Sequence, residues 1–246
     1  MGISWRLAVA GLATAGVLGC SSSQTVQGPG GTGPTGTVDK GVDPGTGQEP
    51  GAGTDKNPYG VAYPTTNVGY QARKGTTPGN IIKNYKFLGH RGDTGQLITL
   101  SMADFFDPQV KQYKIIRFLA SARWCNPCVQ ETKAMLPLLP ELKDKKVLVI
   151  QAITDGLIQG KGATPSDLLA WIKTFPIPTA DLPVMLDPEV KNLGQFFDAA
   201  AIPWNGVIDA RSMEILESGV GYNPKIMEEV DRWVSWVDAN PPQQVQ

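Results

Sequence analysis

The chain has 246 residues, with 22 Lys and Arg against 23 Asp and Glu and a formal net charge of −1. So even a balance leaves no basic footprint for nucleic acid, and the length suits one or two domains. The 28 glycines and 20 prolines are unevenly spread, many of them between Gly28 and Pro58, where a packed core is least plausible.

Met1 to Arg6 carries one basic residue, and Leu7 to Leu18 is an apolar run rich in Ala, Gly and Val. It is short for a bilayer core of ~30 Å, which needs about 20 residues. It fits the core of a secretory leader instead. The run ends at Val17-Leu18-Gly19-Cys20 and is followed by Ser21-Ser22-Ser23. This pattern resembles the lipobox of bacterial lipoproteins, the alternative being an ordinary leader with a chance cysteine. The resemblance implies a leader over 1–19 and lipid chains on Cys20. Several chains matter, because one holds a protein only marginally at roughly 0.8 kcal/mol per buried CH₂. In that family's sorting, Ser21 implies the outer membrane facing the periplasm, where the cell has one. Lipidation of Cys20 leaves Cys125 and Cys128 as a pair outside the cytosol, where disulfides persist.

Residues 20–58 read as a flexible Gly/Pro/Thr/Ser/Gln linker without enough apolar residues to offset chain entropy. About 36 such residues span roughly 30–35 Å root-mean-square. The domain is placed over 59–240, with a regular core over about 84–239 and a tail at 241–246. Val61, Tyr63, Val68 and Tyr70 are candidates for an N-terminal extension packed on it.

Within the core, Tyr85–Leu88 and Gln96–Leu100 read as short strands around Arg91-Gly92-Asp93-Thr94-Gly95. Ser101 caps a short helix through Phe106, with Asp104 as the third position of a capping-box-like pair. Lys114–Ala120 is a buried strand, and 127–142 reads as a helix. Lys146–Ile153 is a second buried strand. Thr164-Pro165-Ser166-Asp167 opens a helix through about Phe175, its proline harmless in a first turn. Pro183–Leu186 is a strand, and Glu189–Phe197 reads as a helix with Leu193, Phe196 and Phe197 inward. Trp204–Asp209 and Glu214–Gly219 form an antiparallel pair. A last helix runs from Asn223-Pro224 to about Asp238, with Ile226, Val230, Trp233, Val234 and Val237 at helical spacing. Strands alternating with helices, then an antiparallel pair and a terminal helix, predict an α/β fold with a mixed sheet.

Trp124-Cys125-Asn126-Pro127-Cys128 lies where the first buried strand runs into a helix. A thiol there faces the positive end of the helix dipole, which favours the thiolate. Cys-x-x-Cys in this setting is the signature of a redox pair. Other uses of the pair fit less well. Structural zinc needs four ligands, and His90 is the single histidine. Haem attachment needs a histidine where Val129 stands. A permanent structural bridge closing so small a ring stabilises little.

From about Asn84 to Ala239 the chain resembles the thioredoxin superfamily, and within it the membrane-tethered TlpA/ResA-type branch. The resemblance rests on Gly95-Gln96-Leu97-Ile98-Thr99-Leu100, on Ala122-Arg123-Trp124-Cys125-Asn126-Pro127-Cys128, on Glu131, and on Ala201-Ile202-Pro203 before a strand ending in Asp209. It implies a thioredoxin-like fold with a mixed central sheet flanked by helices, and a Cys125–Cys128 disulfide. Cys125 would be the nucleophile and Cys128 the resolving thiol. Glu131 would be the candidate base, with a solvated helix charge as the alternative. Pro203 would carry a cis bond beside the substrate groove, and Trp124 would cover the disulfide. The buried aspartate of thioredoxins is replaced by Leu119. Trp204 stands where the family has threonine, a change expected to reshape the groove.

The resemblance implies an extracytoplasmic thiol-disulfide oxidoreductase. Its partners would be disulfide-bearing exported proteins, a thiol electron donor and the membrane, with no metal, no cofactor and no nucleic acid. Reduction of substrates is the usual direction in that branch. The departures at Arg123 and Trp204 leave a non-catalytic, membrane-anchored binding module as the other reading.

Overall fold

The computed structural model describes residues 53–65, 79–92, 95–198 and 200–241. The leader over 1–19, Cys20, the linker as far as residue 52 and residues 242–246 lie outside them. Among the described residues, strands β1 (Lys86–His90), β2 (Ile98–Ser101), β3 (Ile115–Ala122), β4 (Val147–Asp155), β5 (Val184–Leu186), β6 (Trp204–Asp209) and β7 (Ile215–Val220) form one sheet. Its order is β2-β1-β5-β4-β3-β6-β7. β3, β4 and β5 are parallel neighbours, and the remaining pairings are antiparallel.

β3 and β4 are buried along their whole lengths. They are near-continuous apolar runs, as strands covered on both faces require. Helices α1 (Asn126–Met135), α2 (Leu139–Asp144), α3 (Pro165–Thr174) and α4 (Ile226–Ala239) contribute to one core. Leu119, Cys125, Cys128, Met135, Leu142, Trp171, Val230 and Val237 meet there. A second core holds Phe118, Ile150 and Trp204 together with Tyr63, Ile82, Phe105, Leu193 and Phe197. This is a thioredoxin-like fold, as the resemblance implies.

The helix expected over 127–142 is divided. α1 ends at Met135, a 3₁₀ turn covers Leu136–Leu138, and α2 follows. Pro137 and Pro140 have no N–H to donate and crowd the preceding turn, so one continuous helix cannot form. The helix expected over Glu189–Phe197 is also not formed, and only a 3₁₀ turn over Pro188–Val190 stands at its start. Glu189 and Val190 have φ of 58° and 51°, and the Asp187 carboxylate accepts from the amides of Asn192 and Leu193, both at 2.9 Å. A side chain that takes up these amides competes with helical bonding. Leu193 and Phe197 still face inward.

The packed chain extends N-terminally to Gly53, so residues 53–58, which the sequence assigns to the linker, lie on the domain. The Gly53 amide donates to Asp104 Oδ2 at 3.1 Å, and Asn57 Nδ2 donates to the Phe106 carbonyl at 3.1 Å. Asp104 Oδ2 also accepts from the Ser101 amide at 2.7 Å. Tyr63 packs edge-on against Phe106.

Candidate active site

β3 delivers the cysteine motif. The Cys125 amide donates to the Ala122 carbonyl at 3.1 Å, turning the chain out of the strand. Cys125 is the N-cap of α1, with extended backbone and Pro127 in the first turn, where no N–H is needed. The Cys128 amide donates to Cys125 Sγ at 3.2 Å. That bond and the helix start favour a thiolate at Cys125. No acidic residue in the first turn of α1 opposes it. The two sulfurs are bonded to each other, with the Cα atoms 5.3 Å apart. Cys125 is 2% exposed and Cys128 0%, while Asn126 and Pro127 between them are exposed.

The Ile202–Pro203 bond is cis. Cys125 Sγ lies 3.6 Å from the Ile202 carbonyl oxygen, which a thiol at this position could reach as donor. The carbonyl that precedes Pro203 thus faces Cys125 Sγ. Trp204 does not reshape that groove. Its ring is fully buried in the opposite core, stacked on Phe196 and Phe197 at 5.4 and 5.7 Å. Its Nε1 donates to Ser218 Oγ at 2.9 Å. Strand alternation turns it away from the face that carries the cysteines.

The residues before Cys125 are pinned from two sides. Trp124 Nε1 donates to Asp155 Oδ2 at 3.1 Å, at the end of β4. Arg123 Nη1 donates to Asp167 Oδ1 in α3. Beneath α1, Gln151 Nε2 donates to Ser121 Oγ and Thr132 Oγ1, and Gln151 Oε1 accepts from Trp171 Nε1. Thr132 Oγ1 in turn donates to the Cys128 carbonyl at 2.9 Å. These buried groups satisfy one another and hold α1 in register with the sheet.

Glu131 is 1% exposed, so it is not a solvated helix charge. Its oxygens accept from Arg117 Nη2 at 3.2 Å and from Asn205 Nδ2 at 3.5 Å. Burial pushes its carboxyl above the usual range, with the Arg117 guanidinium opposing the shift. Leu119 lies in the same core as both cysteines, so no carboxylate replaces the thioredoxin aspartate on β3. Arg117, Asn205, Asp155 and Gln151 were not singled out from the sequence. Only Arg117 gave a visible signal there, as a charge inside the apolar run Ile115-Ile116-Arg117-Phe118.

No family model matches the chain, and no curated protein matches it. Solved structures do. A Chlorobium tepidum protein assigned as the thiol:disulfide interchange protein DsbE is 19% identical, with a TM-score of 0.49 over 65% of this chain and 99% of that one. The exposed lipoprotein thioredoxin of Streptococcus pneumoniae is 19% identical, with a TM-score of 0.45 over 61% and 99%. The mitochondrial 2-Cys peroxiredoxin of Plasmodium falciparum is 16% identical, with a TM-score of 0.48 over 65% and 95%.

Proposed function

We propose that the chain is a thiol-disulfide oxidoreductase of the thioredoxin superfamily, working outside the cytosol and reducing disulfides of exported proteins. The observation that carries this reading is the Cys125–Cys128 disulfide at the start of α1, with the Cys128 amide on Cys125 Sγ. In the dithiol form the Cys125 thiolate attacks a substrate disulfide and gives a mixed disulfide, expelling one substrate thiolate. Cys128 then attacks Cys125 Sγ, closing the ring and releasing the second substrate sulfur. Two electrons pass from the cysteine pair to the substrate, and a thiol donor restores the dithiol. On this reading Pro203 would keep the edge beside the sulfurs open for a substrate backbone.

The apolar run Leu7–Leu18 and the Gly19-Cys20-Ser21 junction support export and lipid attachment at Cys20. On this reading the domain is tethered at a membrane, the outer one in a cell that has two. No helix among the described residues is long and apolar enough to cross a membrane.

The test is reduction of insulin by the purified protein with a dithiol as donor. Cys125→Ser should abolish turnover, and Cys128→Ser should accumulate mixed disulfides whose partners name the substrates. A wild-type protein that is inactive with both thiols free sinks the proposal. Retention of biological role by a Cys125→Ser/Cys128→Ser variant points to a binding module instead.

A further inference from the structure

Arg117 interrupts the apolar run of β3 and is 1% exposed. Two carboxylates from different helices meet it. Its Nη2 donates to Glu131 Oε1 of α1 at 3.2 Å, and its Nε donates to Glu229 Oε2 of α4 at 3.0 Å. With both acids ionised, the cluster is a nearly dry group of net negative charge, which burial penalises unless a proton joins it. The cluster is also not closed. Arg117 Nη1 and Asn205 Oδ1 are buried without a hydrogen-bond partner among the described residues, whereas a purely structural ion cluster is expected to use its buried polar atoms. Glu131 stands three residues after Cys128 on α1, a spacing that puts the two on adjacent helix surface.

Resting on the redox reading above, we propose that Arg117 is a positioning residue of the disulfide site. It clamps Glu131 between β3 and α4, so that this carboxylate exchanges the proton of Cys128, and its charge sets the pH range in which the exchange works. In the mixed-disulfide state the Cys128 thiol gives its proton to a Glu131 oxygen. The resulting thiolate attacks Cys125 Sγ, and the Cys125–Cys128 bond forms as the bond from Cys125 to the substrate sulfur breaks. The electron pair leaves with that sulfur, which takes a proton from water, and Glu131 later returns its own proton to solvent. The groups facing Glu131 are Arg117 from β3, Asn205 from β6 and Glu229 from α4. Arg117 lowers the proton affinity of Glu131, and Glu229 raises it.

The experiment is stopped-flow reaction of the reduced full chain with dithiobis-nitrobenzoate, in a Cys20→Ala background so that only two thiols report. The first release of chromophore follows attack by Cys125, and the second follows attack by Cys128. Glu131→Gln should slow the second release about 10²-fold. Arg117→Met should move the pH midpoint of the second release up by about one to three units, with the effect confined to that release. Arg117→Lys, which keeps the charge, should recover most of the midpoint. In a Glu131→Gln background Arg117→Met should add no further shift. Glu229→Gln, which removes the second acid and leaves Arg117 and Glu131 in place, should move the midpoint down, and it keeps the test decisive if Arg117→Met does not fold. An unmoved midpoint in folded Arg117→Met or in Glu229→Gln, or equal shifts of both releases, overturns the proposal. Failure of the redox reading itself looks different, because the wild-type protein would then not reduce insulin with both thiols free, whatever its two releases show.

Discussion

Arg123 Nη1 donates to Asp167 Oδ1 at 2.6 Å, an ion pair that joins the residue two before Cys125 to the first turn of α3. The other Asp167 oxygen accepts from the Thr164 amide at 3.0 Å and the Thr164 hydroxyl at 2.7 Å. One carboxylate therefore closes the cap of α3 and anchors the cysteine loop. Asp167→Ala should cost about 1–2 kcal/mol in urea unfolding, the range for losing a helix cap. Burial raises the proton affinity of Asp167, but Thr164 and Arg123 outweigh it and hold the carboxyl below its ordinary value. Stabilisation from a lowered folded value is complete above the unfolded value of ~3.9 and is lost as pH falls through the folded one. The gap between wild type and Asp167→Ala should therefore narrow in acid below about pH 4.

The reduced protein should alkylate at Cys125 with a pH midpoint below the ~8.5 of a free thiol. The cause is local, since the Cys128 amide points at the sulfur from the first turn of α1. Iodoacetamide rates measured against pH, in the Cys20→Ala background, report it directly. A midpoint at the free-thiol value would remove the basis for nucleophilic attack.

Gly206 lies under Trp204. A Cβ built there would stand 2.5 Å and 2.8 Å from two carbons of the indole ring. The ring cannot yield, because Phe196 and Phe197 stack on it. Gly206→Ala should lower stability by about 1–3 kcal/mol, the range for overpacking a filled core. The urea midpoint should fall without a change in slope.

Asp104 holds Gly53 and Ser101 through one oxygen, with the Ser101 hydroxyl as a third donor at 3.1 Å. Asp104→Ala takes this acceptor from the Gly53 and Ser101 amides, while the Ser101 hydroxyl keeps the Thr54 carbonyl at 3.1 Å, and should cost about 1–3 kcal/mol. The segment 53–65 should become more sensitive to limited proteolysis. Burial pushes the Asp104 carboxyl above the ordinary range against its hydrogen bonds. A raised folded value gives stability that is full below the unfolded value and lost as pH rises through the folded one. Asp104→Asn, which does not titrate, should gain on wild type in urea unfolding as pH rises past about 4.

Much of the fold was legible in the residues. The runs that became β3 and β4 are apolar because both faces of those strands are covered, and β6 was read with its observed ends. The start of α3 at Thr164-Pro165-Ser166-Asp167 was legible because the signals that open a helix lie within three residues. The two helix errors have local causes that periodicity does not register. Prolines inside an apolar pattern divided α1 from α2, and the Asp187 side chain replaced helical bonds after β5.

The amino-acid sequence by itself determined the chemistry on offer, since two sulfurs three residues apart at a strand-to-helix junction require no distant partner to be recognised. It also determined where the buried strands run, because burial on both faces selects apolar residues along the chain. Tertiary structure alone decided which groups surround those sulfurs. Glu131 meets Arg117 from 14 residues away, Arg117 meets Glu229 from 112, and Trp204 turns into the far core. Such pairings depend on strand order and on which face each side chain takes, and no local spacing encodes them.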